Sequence, residues 1–357
     1  MRHRWLTGLV VLTLGATSVH AELDPVFAPF REATDEAVNK GLDYLSEKQT
    51  HEGFFLGQHG RTTGVVALAG MAYLSQGHTP GQGPYGENIN RCVDYLLGAQ
   101  RADGMLVRNA GEGRMYSHSI ATLFLSEVSG MITTERQEKL AEVLPPAVRL
   151  ILKAQDARKN EERHKGGWRY QPDAKDSDLS CSGWALMALR SVKLNGAPVP
   201  DEAIDRAVEY IYRNHDERAG KFGYQNASSH SLTLTGMALL CLELCGQHGE
   251  PATFKAGDYV LKSMTQLPSQ DFATYGNYYN AQGCFQLGGD YWQSYAEWMY
   301  GHFLKEQKED GSWEGRREGT LYNTCMVVLG LSVPYRQLPI YQRDETVGEE
   351  GGASGDE

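Results

Sequence analysis

A helix ending in Gln, a short polar turn holding Gly and often an aromatic, and a second, more apolar helix recur along the chain. This recurrence constrains the fold more than any other feature. The fullest copy runs from Phe303 to Trp313, with Gln307, Gly311 and Trp313 in order, and leads into the apolar run 320–333. Shorter copies set Gln49, Gly53 and Phe55 before 62–74, and Gln100, Gly104 and Leu106 before 119–128. A third has Gln155, a charged insertion and Gly166-Gly167-Trp168 before 180–194, and a fourth has Asn214 and Gly223-Tyr224 before 232–244. The fifth, 259–266 followed by 278–286, is degenerate. The markers 49, 100, 155, 214, 266 and 307 stand about 50 residues apart, the length of two helices and two turns.

Hydropathy divides each pair. The first helix carries apolar residues at helical spacing on one face, as in Ala203, Ile204, Ala207, Val208 and Ile211, so its other face meets solvent. The second is apolar nearly all round and rich in small residues, as in 183–189, so it belongs inside. Strand signals are weak. The pattern predicts an all-α fold: a closed double ring of about six helical hairpins, an (α/α)6 toroid.

The order Gln307, Gly311, Trp313, with its shortened forms at Gln49 and Gln100, resembles the QW repeat of squalene cyclases. The likeness covers almost the whole chain after its first residues. It implies the toroid of the terpenoid cyclase and protein prenyltransferase superfamily, in which the prenyltransferase and squalene oxidase repeat recurs. The Gln is expected to hydrogen-bond free backbone groups where helices begin, and the aromatic to cover the joint between neighbouring pairs.

The ends read differently from the middle. Arg2, His3 and Arg4, the mostly apolar 5–14 and Val19-His20-Ala21 form a leader with a cleavage site, so residues 1–21 are expected to direct export to the periplasm or beyond. Residues 22–342 are assigned to the toroid, and the Gly-, Glu- and Asp-rich 343–357 to a solvated acidic tail. No stretch of the mature chain has the roughly 20 apolar residues of a membrane span. The net charge of -11 disfavours nucleic acid as partner. Six Cys invite a disulfide framework, but Cys241, Cys245 and Cys325 lie in apolar helical runs where Cys acts as a small hydrophobe. The sequence sets no oligomeric state.

In a double ring the polar turns before the inner helices converge on one end of the central cavity, which makes their residues the functional candidates. The turns offer His59 and Arg61; Arg114, Tyr116 and His118; Arg169, Asp173, Asp176, Asp178 and Cys181; Tyr224 and His230; Tyr275, Tyr278 and Tyr279; and Arg316, Arg317, Tyr322 and Asn323. Of these, His118, Arg169, His230, Tyr278, Tyr279, Arg316 and Tyr322 are read as ligand-binding. Arg61, Arg114, Arg169, Arg316 and Arg317 would suit an anionic headgroup if they converged.

Asp176-Ser177-Asp178-Leu179-Ser180 is similar to the Asp-x-Asp-Asp-Thr element of class II terpenoid cyclases, which implies Asp178 as proton donor with Asp176 beside it. Leu179 stands where the family has its last Asp, and that acid helps set the donor's pKa. The plainer reading is that Asp176 or Asp178 caps the following helix. A looser likeness, to the protein prenyltransferase β subunit, implies zinc on Asp178, Cys181 and His230; otherwise no cofactor is expected. No nucleophile elbow, phosphate loop or His-Glu-x-x-His occurs. The expected function is an exported toroid that binds, and as an enzyme would transform, an apolar or isoprenoid-like ligand. A non-catalytic scaffold and a glycan-active enzyme with two facing carboxylates are the alternatives.

Overall fold

The computed structural model describes residues 24–108 and 113–341. The expected leader and the expected tail 343–357 lie outside them. Among the described residues twelve α-helices form six hairpins: α1 Arg31–Lys48 with α2 Thr63–Leu74, α3 Gly86–Leu97 with α4 Arg114–Glu127, α5 Thr134–Gln155 with α6 Leu179–Leu194, α7 Asp201–Arg213 with α8 Thr235–Leu244, α9 Pro251–Ser263 with α10 Ala273–Leu287, and α11 Gly289–Phe303 with α12 Thr320–Leu331. Each even-numbered helix packs on the next even-numbered one, and α12 returns to α2, so the inner ring closes. The all-α toroid read from the repeat is the fold observed. Among the described residues its strands are two short segments, β1 His215–Asp216 and β2 Lys221–Phe222, paired antiparallel between α7 and α8.

Burial follows the hydropathy split. Every residue of α2 is buried, whereas α7 buries Ala203, Ala207, Tyr210 and Ile211 along one stripe. Small residues let the inner helices approach closely: a Cβ on Gly236 would stand 2.1 Å from the Asn280 side chain of α10. All six Cys carry free thiols, and five of them are buried. Among the described residues no helix is long and apolar enough to cross a membrane.

The repeat residues clamp four of the six hairpins to the next. Gln49 Nε2 donates to Asn88 O in α3 at 3.0 Å and toward its own Gly53 O at 3.4 Å. Gln100 does the same to Val143 O in α5 and Gly104 O, at 2.7 and 3.2 Å. Gln155 reaches Ala203 O in α7 and Gly166 O at 2.8 and 2.9 Å. Gln307 closes the seam, bonding Ala37 O in α1 and Gly311 O at 2.7 and 2.9 Å. The acceptors are carbonyls within the neighbouring helix and the turn, rather than the unpaired groups at helix starts that the sequence suggested.

The Gly of each copy has a matching duty. Gly166 adopts φ +82°, and a Cβ there would fall 2.1 Å from Arg206 O, one helical turn beyond the Ala203 carbonyl that Gln155 grips. Gly53, Gly104 and Gly311 repeat the geometry against Arg91, Pro146 and Lys40. Only Gly offers both the left-handed backbone and the missing side chain. In the fourth copy Asn214, one methylene shorter, turns back to Tyr210 O of its own helix at 2.9 Å. In the fifth, Gln266 falls inside a short 3-10 turn, Met264–Ser269, and not at the end of α9.

Candidate functional site

The first turns of the inner helices meet at one end of the ring and enclose a cavity of about 560 Å³. All six turns contribute to its wall, including Thr62 and Val65, Tyr116 and Ser117, Tyr170 and Ser180, Tyr224 and His230, Phe272 and Tyr275, and Glu318 and Tyr322. The expected convergence of distant loops is therefore present. Leu68, Ile120 and Leu234 give the wall its aliphatic part.

Beneath this space the axis is filled. Trp184 lies parallel to Tyr278 at 6.2 Å and edge-on to Tyr279 at 5.5 Å, while Tyr275 and Tyr279 meet at 4.8 Å. Tyr278 and Tyr279 are fully buried and lie outside the cavity wall. They therefore pack the axis below the ligand space instead of lining it. Tyr116 and Tyr322 do line it, with hydroxyls 3.1 Å apart, and Tyr275 donates to Ser180 Oγ at 3.0 Å. At the opposite end of the ring, Glu127 accepts from Ile340 N at 3.0 Å and from Ser191 Oγ at 2.5 Å. Arg190 and Gln286 hold the carbonyls of Ile340 and Tyr341, so the last described turn seals that end.

His118 has a structural role. Its Nδ1 accepts from Leu106 N at 3.0 Å, so the ring proton sits on Nε2 and is donated to Ala147 O at 3.1 Å. Ser182, Thr235 and Thr324 play the same part for Trp168, Phe222 and Trp313 in other copies, accepting the turn amide with a hydroxyl. Burial lowers the His118 pKa to about 4, so it stays neutral at neutral pH. The ligand-binding assignment from sequence thus falls on a clamp of the second hairpin. Asn323 is another, bonding Thr274 of α10 and the Glu318 and Gly319 carbonyls.

Asp178 caps α6, as the plainer reading of its motif expected. Its Oδ1 accepts from Cys181 N at 2.8 Å and its Oδ2 from Arg169 Nη1 at 2.8 Å. Burial pushes its carboxyl above the usual range, against the pull of the Cys181 amide and Arg169. Asp176 meets the other side of the guanidinium, 3.2 Å from Arg169 Nε. Arg169 passes the order outward, donating to Tyr224 Oη at 2.8 Å. Asp176, Asp178 and Arg169 therefore stand behind the wall, and Tyr224 and Ser180 represent them on it.

The proposed zinc ligands are not brought together. Asp178 and Cys181 share the first turn of α6, but His230 sits at the rim and bonds Thr233 Oγ1 at 3.1 Å. Among the described residues no three His, Cys, Asp or Glu side chains group as metal ligands. The arginines also fail to converge. Arg61 lies over the Phe54 ring at 4.2 Å, Arg316 bonds the Ser269 carbonyl, and Arg317 pairs with Asp271 at 3.2 Å. Sequence reasoning missed Tyr170, Phe272 and Glu318, and met Ser180 only as the last residue of the acid motif. Their signal was position alone: Ser180, Phe272 and Glu318 stand within two residues of an inner-helix start, and Tyr170 nine residues before one.

No protein-family description matches the chain, and no curated protein resembles it in sequence. Solved structures do resemble it in shape. An alpha-1,6-mannanase of Salegentibacter sp., solved with alpha-1,6-mannotriose, superposes with a TM-score of 0.61 at 10% identity, covering 85% of this chain and 99% of that one. A type II terpene cyclase from Scytonema, solved with geranylgeranyl dihydroxybenzoate, gives 0.56 at 14% identity, over 87% and 99%. An alpha-mannanase of Bacteroides thetaiotaomicron gives 0.55 at 9%, over 87% and 97%. The chain shares the (α/α)6 toroid with both groups, and at these identities the likeness establishes fold alone.

Proposed function

We propose that this chain is an exported toroid whose cavity holds the apolar body of an isoprenoid-like or other amphiphilic molecule. The observation that carries the reading is the wall itself. Tyrosines, Phe272 and aliphatic side chains from six separate turns enclose about 560 Å³, within the roughly 300–1,000 Å³ typical of small-molecule sites. Burying such a body there gains about 25 cal/mol for each Å² of apolar surface removed from water. The Scytonema cyclase, solved with a substrate of that general character, supports the reading by analogy.

If the cavity carries out a reaction, Asp178 and Asp176 act through Arg169. That guanidinium fixes the Tyr224 hydroxyl on the wall, so the two acids are positioning residues for a surface the ligand touches. The glycan-active alternative draws support from the mannanase likeness. Hydrolysis by paired carboxylates needs two of them facing across the substrate. Among the described residues Glu318 is the one carboxylate on the wall.

Isothermal titration of the purified protein with farnesol and, separately, alpha-1,6-mannotriose discriminates the readings. Saturable farnesol binding, quenching the fluorescence of Trp184 beneath the floor, is expected. Binding of the trisaccharide without farnesol would reverse the assignment, and binding of neither would favour a scaffold.

A further inference from the structure

The cavity wall is aromatic and acidic, and among the described residues no Arg or Lys side chain is part of it. Six rings line it, from Tyr116, Tyr170, Tyr224, Phe272, Tyr275 and Tyr322. Glu318 is the one Asp, Glu, Lys or Arg side chain on the wall among the described residues. It is half-buried and has no ion-pair partner among them. Its charge reaches the Tyr116 and Tyr322 hydroxyls and raises both pKa values further.

Three arginines of the mouth are already engaged, whereas Arg114 Nε at the start of α4 is buried without a hydrogen-bond partner and its side chain is not part of the wall. Arg169 is held by Asp176 and Asp178, Arg317 by Asp271, and Arg61 stacks outside on Phe54. The surrounding rim lowers the His230 pKa, which favours its neutral form. Inner-helix starts bring partial positive charge toward the same space. Protein oxygens answer several of them, since Tyr170 O takes Met115 N, Tyr224 O takes Leu179 N, Asp178 takes Cys181 N, and Thr62 Oγ1 takes Val65 N.

Aromatic faces around one unpaired carboxylate are the chemistry that recognises an organic cation. We infer that the cavity selects a cationic amine head, quaternary or protonated, on an otherwise apolar ligand, with Glu318 as counter-ion and the tyrosine and Phe272 rings as its cage. This rests on the apolar-ligand reading above and names the head that the ligand carries. A carboxylate or phosphate head would face Glu318, and no guanidinium is among the wall residues.

The test compares three probes of equal chain length, octyltrimethylammonium, 1-octanol and octanoate, by isothermal titration into the whole protein at low salt. The ammonium is expected to bind about tenfold more tightly than the alcohol, and octanoate most weakly. Glu318→Gln should remove most of that preference while leaving octanol affinity within about twofold. Phe272→Leu, at the partly exposed rim, should weaken the ammonium severalfold. Octanol or octanoate binding as tightly as the ammonium, or a preference untouched by Glu318→Gln, overturns the inference and leaves the apolar-ligand reading standing. Failure of all three probes to bind overturns both.

Discussion

Replacing Gln155 by Leu keeps the volume of the clamp between the third and fourth hairpins and deletes its chemistry. Gln155 is buried, and its amide holds Gly166 O and Ala203 O at 2.9 and 2.8 Å. Each such bond contributes about 1 kcal/mol net, and the Gly166 carbonyl would be left buried without this donor, so the loss comes to about 2–4 kcal/mol. For a chain of this size that lowers Tm by roughly 3–6 °C. Gln307→Leu removes the same pair of bonds at the seam between the last hairpin and α1, where the residue is less buried. A smaller loss of about 1–3 kcal/mol is expected there. Urea unfolding monitored by circular dichroism measures both, and hydrogen exchange on the Gln307 variant should show extra opening in α1 and α11. A loss under about 0.5 kcal/mol for Gln155→Leu would refute the claim that these amides hold the ring.

Other expectations follow from the same contacts. His118, neutral with a folded pKa of about 4 against 6.5 unfolded, contributes stability that is full above pH 6.5 and is lost as pH falls through 4. The loss is about 3 kcal/mol and should flatten in His118→Asn during acid titration of unfolding free energy. Glu127 runs the other way. Burial raises it to about 7 from 4.5, so its contribution is full below pH 4.5 and is lost as pH rises through 7; Glu127→Gln should remove that slope. Asp178→Ala, which strips both the α6 cap and the Arg169 pair, should cost about 3–5 kcal/mol in chemical denaturation, with Asp178→Asn milder because an amide oxygen can still cap. Gly166→Ala, strained at φ +82° and in collision with Arg206 O, should lose at least about 3 kcal/mol or fail to accumulate folded protein.

The ring was legible because its joints are written in residue types with few other uses. A Gln, a Gly with positive φ and a buried aromatic or Leu two residues after that Gly mark the end of an outer helix and the turn after it. The fourth and fifth hairpins were fainter because Asn214 and Gln266 do not make the bridge. Site residues were less legible because position and direction differ. His118 and Tyr116 share one turn of α4, yet one faces the Leu106 amide and the other the cavity. Tyr278 and Tyr279 are as aromatic as Tyr275 and share its side of α10, but they stand one helical turn further along, under the floor. The Asp178 motif announced an acid, but its fate depends on Arg169, and sequence did not show that this guanidinium lies between it and Tyr224. Glu318 belongs to no motif, and only its place just ahead of α12 marks it.

Because each joint pairs a side-chain donor with main-chain acceptors, the receiving helix can be built from almost any residues that keep it helical. Drift on the outer wall leaves the grip intact. The mouth lies at the starts of the inner helices, where few of these grips reach, so its lining is free to be rewritten one loop at a time. Such an architecture allows one ring to carry unrelated pockets while hardly any letter of its text survives.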